Sequence, residues 1–153
     1  MATRSTIAIE FADGTVEQVY CHWDGYMEHN GAILRDNYTD PFKLRDLIDL
    51  GDISSLGPEI GEKHAFSQFE LTNEEVEAYK KLTENWTTFY GRDRSETGIS
   101  ARKFKSYEDY VANHQYEEYE YILRNIDGRA TWFVNDHGRG YVPLVEAMAK
   151  EAA

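Results

Sequence analysis

Two runs in which apolar and polar residues alternate are each broken by Asp-Gly, the dipeptide that supplies the positive φ angles of a two-residue hairpin turn. In the first, Ile7, Ile9 and Phe11 alternate with Thr6, Ala8 and Glu10 before Asp13-Gly14 leads into VEQVYCHW. Closing the turn on those two residues pairs positions that sum to 27, setting Phe11 against Val16, Ile7 against Tyr20 and Ala8 against Val19. The same register opposes Glu10 and Glu17, which repel. In the second run, EYEYILRNIDGRATWFVN turns at Asp127-Gly128 and sets Leu123 against Trp132, Tyr121 against Val134 and Ile122 against Phe133. WTTFYGR, residues 86 to 92, is rich in β-branched and aromatic residues and reads as a fifth strand.

Periodicity of 3.6 replaces alternation between these runs. Asp40-Pro41 is an N-cap followed by proline at the first helical position; Leu44, Leu47 and Ile48 form a stripe, and Gly51 stops a helix near 41 to 50. Thr72 and Glu75 form a capping box, Leu71 and Val76 stand as its hydrophobic staple, and Val76, Tyr79, Leu82 and Trp86 continue at helical spacing. Ser106 with Asp109 opens a third helix carrying Tyr110, Val111 and His114, and PLVEAMAKE, residues 143 to 151, makes a terminal one. Residues 51 to 70 read as an irregular connection. The expected architecture is a single α+β domain over 1 to 153. It has an antiparallel sheet of four or five strands built from the two hairpins, with three or four helices mostly on one face.

Composition narrows the function. Sixteen Lys and Arg against 28 Asp and Glu give a net charge of −12, which argues against general binding to nucleic-acid phosphates. No window approaches the roughly 20 apolar residues of a membrane span, and the opening MATRSTIAIEF lacks the apolar segment of a signal peptide. A cytoplasmic location without membrane attachment is expected. The lone Cys21 excludes an internal disulfide and any multi-cysteine zinc site. The charge is also uneven: residues 85 to 106 hold five bases and two acids. Residues 107 to 121 hold Glu108, Asp109, Glu117, Glu118 and Glu120 with no base, interleaved with Tyr107, Tyr110, Tyr116, Tyr119 and Tyr121. Either this is a solvated face whose tyrosines turn inward, or it is a protein-binding surface that imitates phosphates. On the second reading Tyr107, Glu108, Asp109, Tyr116, Glu117, Glu118 and Glu120 make the contact.

Three stretches offer chemistry. YCHWDGYMEHNG, residues 20 to 31, gathers Cys21, His22, Asp24 and His29, yet Cys21 and His22 point to opposite faces of a continuing strand and cannot form a thiolate pair. His22 and Asp24 are too few to hold a metal, and no metal or other cofactor is expected. Trp23 and Tyr26 read as core or loop anchors. In GRDRSETG, residues 91 to 98, an extended backbone puts Arg92 and Arg94 on one face. With Arg102 they would hold an anionic nucleotide beside Trp23 or Trp86, unless internal carboxylates claim them. NDHGRGY, residues 135 to 141, brings Asp136 and His137 into a glycine-rich loop. A small hydrolase using His22, Asp24 and His137 requires these groups to converge, with His64 and His114 as further candidates, and no HExxH, GxSxG or paired-carboxylate signature is present to support it.

At TRSTIAIE (3 to 10), GTVEQVYCHWDGY (14 to 26), NGAIL (30 to 34), LGDISSLG (50 to 57) and FYGRDRSETG (89 to 98) the chain resembles a family of small bacteriophage and prophage proteins. The resemblance carries no reaction and no catalytic residue. It implies a setting: a non-enzymatic accessory protein in the host cytoplasm, acting in host takeover or against defence by binding and inhibiting a host protein. The implied partner is a nucleic-acid-binding enzyme or a defence complex, without direct contact to nucleic acid or membrane, and homodimerisation is left open.

Overall fold

The computed structural model describes residues 2 to 64 and 72 to 152. Among these residues eight strands form one mixed sheet: β1 (Ser5–Glu10), β2 (Val16–Cys21), β3 (Ile53–Ser55), β4 (Thr88–Phe89), β5 (Arg102–Phe104), β6 (Tyr119–Ile126), β7 (Arg129–Asp136) and β8 (Tyr141–Pro143). Their order is β4-β3-β2-β1-β6-β7-β8, with β5 also alongside β2. Among the described residues six helices accompany them: α1 (Ala32–Asn37), α2 (Pro41–Asp49), α3 (Asn73–Thr83), α4 (Tyr90–Arg94), α5 (Tyr107–Asn113) and α6 (Leu144–Ala152), and a π-helical turn at Met27–Gly31 leads into α1.

The α+β class holds, but the sheet is larger than four or five strands and is not all antiparallel. β1 runs parallel to β6, and β2 runs parallel to β3. STIAIE therefore lies between β2 and β6 in the middle of the sheet, where Ser5 to Ile9 are all buried. A strand covered on both faces does not reveal its neighbours through alternation.

The two Asp-Gly turns behave differently. Asp127 and Gly128 have φ of 53° and 83°, as a two-residue primed turn requires, and the β6–β7 register places Leu123 on Trp132, Tyr121 on Val134 and Ile122 on Phe133 as expected. At the first turn only Gly14 has a positive φ (89°). The Asp13 carboxylate accepts from the Thr15 backbone N–H (3.0 Å) and hydroxyl (2.6 Å), while Gly14 N–H donates to Phe11 O (2.9 Å). This Asx-type closure lengthens the loop, so the pairs sum to 26 rather than 27. Ile7 faces Val19, Ile9 faces Glu17 and Glu10 faces Val16. The slip separates Glu10 from Glu17 and lets Glu10 pair with Arg124 at 3.2 Å.

Helix boundaries follow their caps. Asp40 accepts from Phe42 N–H (2.9 Å), and Gly51 has a φ of 84° just past α2. Thr72 and Glu75 complete the capping box of α3, whose expected staple partner Leu71 lies outside the described residues. That helix ends at Thr83 and does not reach Trp86. Ser106 caps α5, with His114 immediately after it. The strand expected over 86 to 92 is limited to Thr88–Phe89. Buried Asp93 accepts from Phe89 N–H (2.8 Å) and pairs with Arg92, winding the following residues into α4.

The main core lies on one face of the sheet, where Ile7, Ile9, Val19, Leu123 and Val134 meet Leu34, Leu44, Leu47, Ile48 and Leu144 from α1, α2 and α6. A smaller cluster on the opposite face seats Tyr110 of α5 on Ala8, Val16 and Ile122. Among the described residues no helix is long and apolar enough to cross a membrane.

Candidate functional site

The β1–β2, β1–β6 and β6–β7 pairings align Cys21, Ser5, Tyr119 and Asp136 in one row across one end of the sheet. Loops leaving this end carry Glu117 and Glu118 into β6, while Glu28 comes from the π-helical turn and Glu151 from α6. Their charges converge: burial raises the Tyr119 phenol above its ordinary range, and the charges of Asp136, Glu151, Glu28 and Glu118 all push it the same way. A hydrogen bond that the protonated Glu151 carboxyl donates to the neighbouring Glu28, slight burial and the charges of Glu28 and Asp136 raise the Glu151 carboxyl. Glu117 accepts from Gln115 (3.0 Å) and Glu118 from the Arg4 backbone (3.4 Å). Among the described residues Glu28, Glu117, Glu118 and Glu151 have no cationic side chain within ion-pair distance, whereas Asp136 is held by Arg139 (3.2 Å) and by His137.

The acidic, tyrosine-rich segment divides between surface and interior. Tyr116 is 64% exposed, Glu108 is exposed, and Glu117 and Glu118 are partly so. Asp109 is drawn into α5, accepting from Lys105 N–H (2.9 Å) and the Asn113 amide (2.8 Å). Tyr107 lies beneath Arg124, whose guanidinium carbon is 3.6 Å from the ring centroid. Glu120 corrects the reading of the segment as one surface, because it is completely buried between α5 and the sheet. Its Oε1 accepts from Asn135 (2.8 Å), and its Oε2 meets His114 Nε2. His114 donates through Nδ1 to Tyr110 O (2.6 Å) and stacks on the Tyr110 ring (4.6 Å), while the Tyr141 hydroxyl bonds that of Tyr110 (2.9 Å). Burial pulls the His114 pKa down, but the hydrogen bond and charge of Glu120 outweigh it and leave the imidazole raised above 6.5.

Internal partners take up the arginines expected to grip an anion. Arg92 donates to Ile60 O, Gly61 O and Thr87 O (2.9 to 3.0 Å) as well as to Asp93. Arg102 forms a bidentate fork on Asp52 (2.6 and 3.2 Å), and Arg94 pairs with Glu96 at 3.3 Å. α4 replaces the extended backbone that would have aligned Arg92 with Arg94. Trp23 is 45% exposed and rests edge-on against His22.

The hydrolase residues do not assemble. His22 and His137 leave the same end of the sheet on β2 and β7, three strand spacings or about 14 Å apart. His22 is engaged by the Tyr20 hydroxyl (2.6 Å), His64 by Thr88 and Glu62, and His114 lies under α5. The stretch from 20 to 31 is a structural tie: the Asn30 amide donates to Ser5 Oγ, Cys21 Sγ and Trp23 O, and the Tyr121 hydroxyl donates to Gly25 O (2.6 Å). Burial pushes the Cys21 thiol up to about 12, which keeps it protonated and unreactive. Among the described residues no group of three or more His, Cys, Asp and Glu is placed to hold a metal ion.

Glu117 and Glu118 are legible in the sequence as members of an acidic run, but Glu28, Asp136 and Glu151 are not. Asp136 stands out in the sequence only beside His137 in a glycine-rich loop and nothing local marks Glu28 or Glu151; the three meet because β6 pairs with β7 and α6 packs on the π-helical turn. No protein-family model, curated protein or solved structure matches the chain.

Proposed function

We propose that this is a phage accessory protein that acts without catalysis, binding and inhibiting a host protein through the acidic end of its sheet. Glu118 stands with Glu28 and Glu151 around Tyr119, Glu117 lies next to Glu118 on the side of Tyr20, and Tyr116 is an exposed aromatic anchor. The carboxylates occupy the place that nucleic-acid phosphates take on a basic host groove. One arrangement carries the reading: Glu28 of the π-helical turn and Glu151 of α6 line the same surface recess, Glu28 raises the cost of ionising Glu151, and neither forms an ion pair with a cationic side chain among the described residues. Like-charge crowding is unfavourable in the free protein and becomes favourable when a positive surface docks against it. The nucleotide-binding alternative draws less support, since Arg92 and Arg102 spend their donors internally. Affinity capture from bacterial lysate tests the proposal, using the wild-type chain and a Glu117→Lys/Glu118→Lys variant at low and high salt. A basic partner held by the wild type at low salt, released by salt and lost by the variant is expected. Equal retention by both chains, or at both salt concentrations, contradicts it.

A further inference from the structure

The opposite end of the sheet presents different chemistry. Both hairpin tips project past the first turn of α2, leaving a recess of about 200 Å³ between them and the helix. Its apolar wall comprises Phe11 from the first hairpin, Leu123 and Ala130 from the second, and Phe42 from α2. Phe42 is 68% exposed, the most open of the large apolar side chains on the described surface. The recess is a consequence of register: Ile9, Leu123 and Trp132 lie on the face that α2 covers, and Phe11 and Ala130 continue that face beyond the helix.

Two donors border this apolar wall. Arg45, one turn along α2 from Pro41, lies 5.4 Å from the Phe42 ring centroid and has no carboxylate partner among the described residues. Asn125 uses its Oδ1 to accept from Gly128 N–H (2.9 Å), and its Nδ2 has no acceptor among the described residues. The other arginine of the recess, Arg124, is committed to Glu10 and Tyr107. An unpaired guanidinium beside an apolar recess stands out in a chain of net charge −12.

We infer that this recess binds a small aromatic monocarboxylate, with the ring against Phe11, Phe42, Leu123 and Ala130 and the carboxylate on Arg45 and Asn125. Size supports a single ring, because an apolar cavity of about 150 Å³ is known to hold benzene and this one is slightly larger. Charge supports the acid: the one carboxylate lining the recess among the described residues, Glu10, is neutralised by Arg124 at 3.2 Å, so an added carboxylate gains a charge-assisted bond from Arg45, whereas an amine meets repulsion there. The inference is independent of the acidic end of the sheet, which lies at the other ends of the same strands.

The test is a backbone-amide NMR titration of the full chain with phenylacetate, compared with phenylacetamide and 2-phenylethylamine. Phenylacetate is expected to shift the amides of Phe11, Phe42, Asn125 and Ala130 saturably in the millimolar range or below, with the amide weaker and the amine inert. Arg45→Gln, at an exposed position that leaves the fold intact, should weaken phenylacetate by about tenfold. Ala130→Leu, also at the surface, should fill the recess and abolish the shifts while Arg45 remains. Absence of saturable shifts, equal response to all three compounds, or an unchanged affinity in Arg45→Gln overturns the inference. So does occlusion by a second copy, seen as shifts of these amides with protein concentration alone.

Discussion

At the residue scale, the buried His114–Glu120 pair separates what alternation reveals from what it does not. The register expected for the second hairpin, extended by one pair, carries Glu120 opposite Asn135, where the structure has it. It did not show that α5 covers that face, so Glu120 read as a surface carboxylate. Once covered, a carboxylate needs a partner, and His114 arrives at the end of α5 to provide one. Because the folded-state pKa of His114 is raised, the stability it contributes is complete below its ordinary value of about 6.5. That contribution is lost as pH rises through the raised value. Urea titrations across mildly acidic to alkaline pH should show this loss in the wild type, and a flat profile would contradict it. Glu120→Gln removes the carboxylate while burial still disfavours the imidazolium; it should cost about 3–5 kcal/mol under mildly acidic conditions and reverse the pH slope, stability then rising as His114 loses its proton. An effect of about 0.5 kcal/mol or less, the size of an ordinary surface substitution, would mean that the pair contributes little.

At the scale of elements, caps and turns were legible where backbone and side chain made the same demand. Asp127-Gly128 fixed its register because both residues adopt positive φ. Asp13-Gly14 did not, because the Asp13 side chain took the Thr15 amide and drew a further residue into the loop. The short strands β3, β5 and β8 carry too few residues for alternation to be seen, and each depends on a longer neighbour. Gly51 tests how firmly one helix end is fixed. Its φ is 84°, and an added Cβ would stand 2.4 Å from the Ile99 carbonyl oxygen. Gly51→Ala should therefore destabilise by at least about 1–2 kcal/mol in thermal or chemical unfolding. The cap of α3 should behave otherwise, since most of that helix is exposed. Thr72→Ala should weaken α3 by about 1 kcal/mol, visible as faster amide exchange over 73 to 83 with little change in the global melting temperature. A large fall in melting temperature would show that α3 is coupled to the core.

At the scale of the whole molecule, the net charge was plain from composition, whereas its focus was not. The segment 107 to 121 supplied only part of the acidic end, because sequence proximity is a poor guide where parallel pairing joins β1 to β6. Chain reversal brings Glu28 and Glu151 beside Glu118, and the tyrosines between the acids mostly turn inward: Tyr110 and Tyr121 are buried, while Tyr116 stays exposed. The arginine-rich stretch was legible as a cluster, but its partners Asp52 and Asp93 are buried residues that only the fold identifies.

If the acidic end is the binding surface, affinity for the host partner is governed by screened attraction between opposite charges. The most direct measurement is the dissociation constant of the complex as a function of salt concentration, for the wild type and for Glu117→Lys/Glu118→Lys. The wild type should weaken steeply as salt rises, and the variant should bind at least about tenfold more weakly at low salt with a shallower dependence. Matching affinities and matching slopes for the two chains would contradict the account.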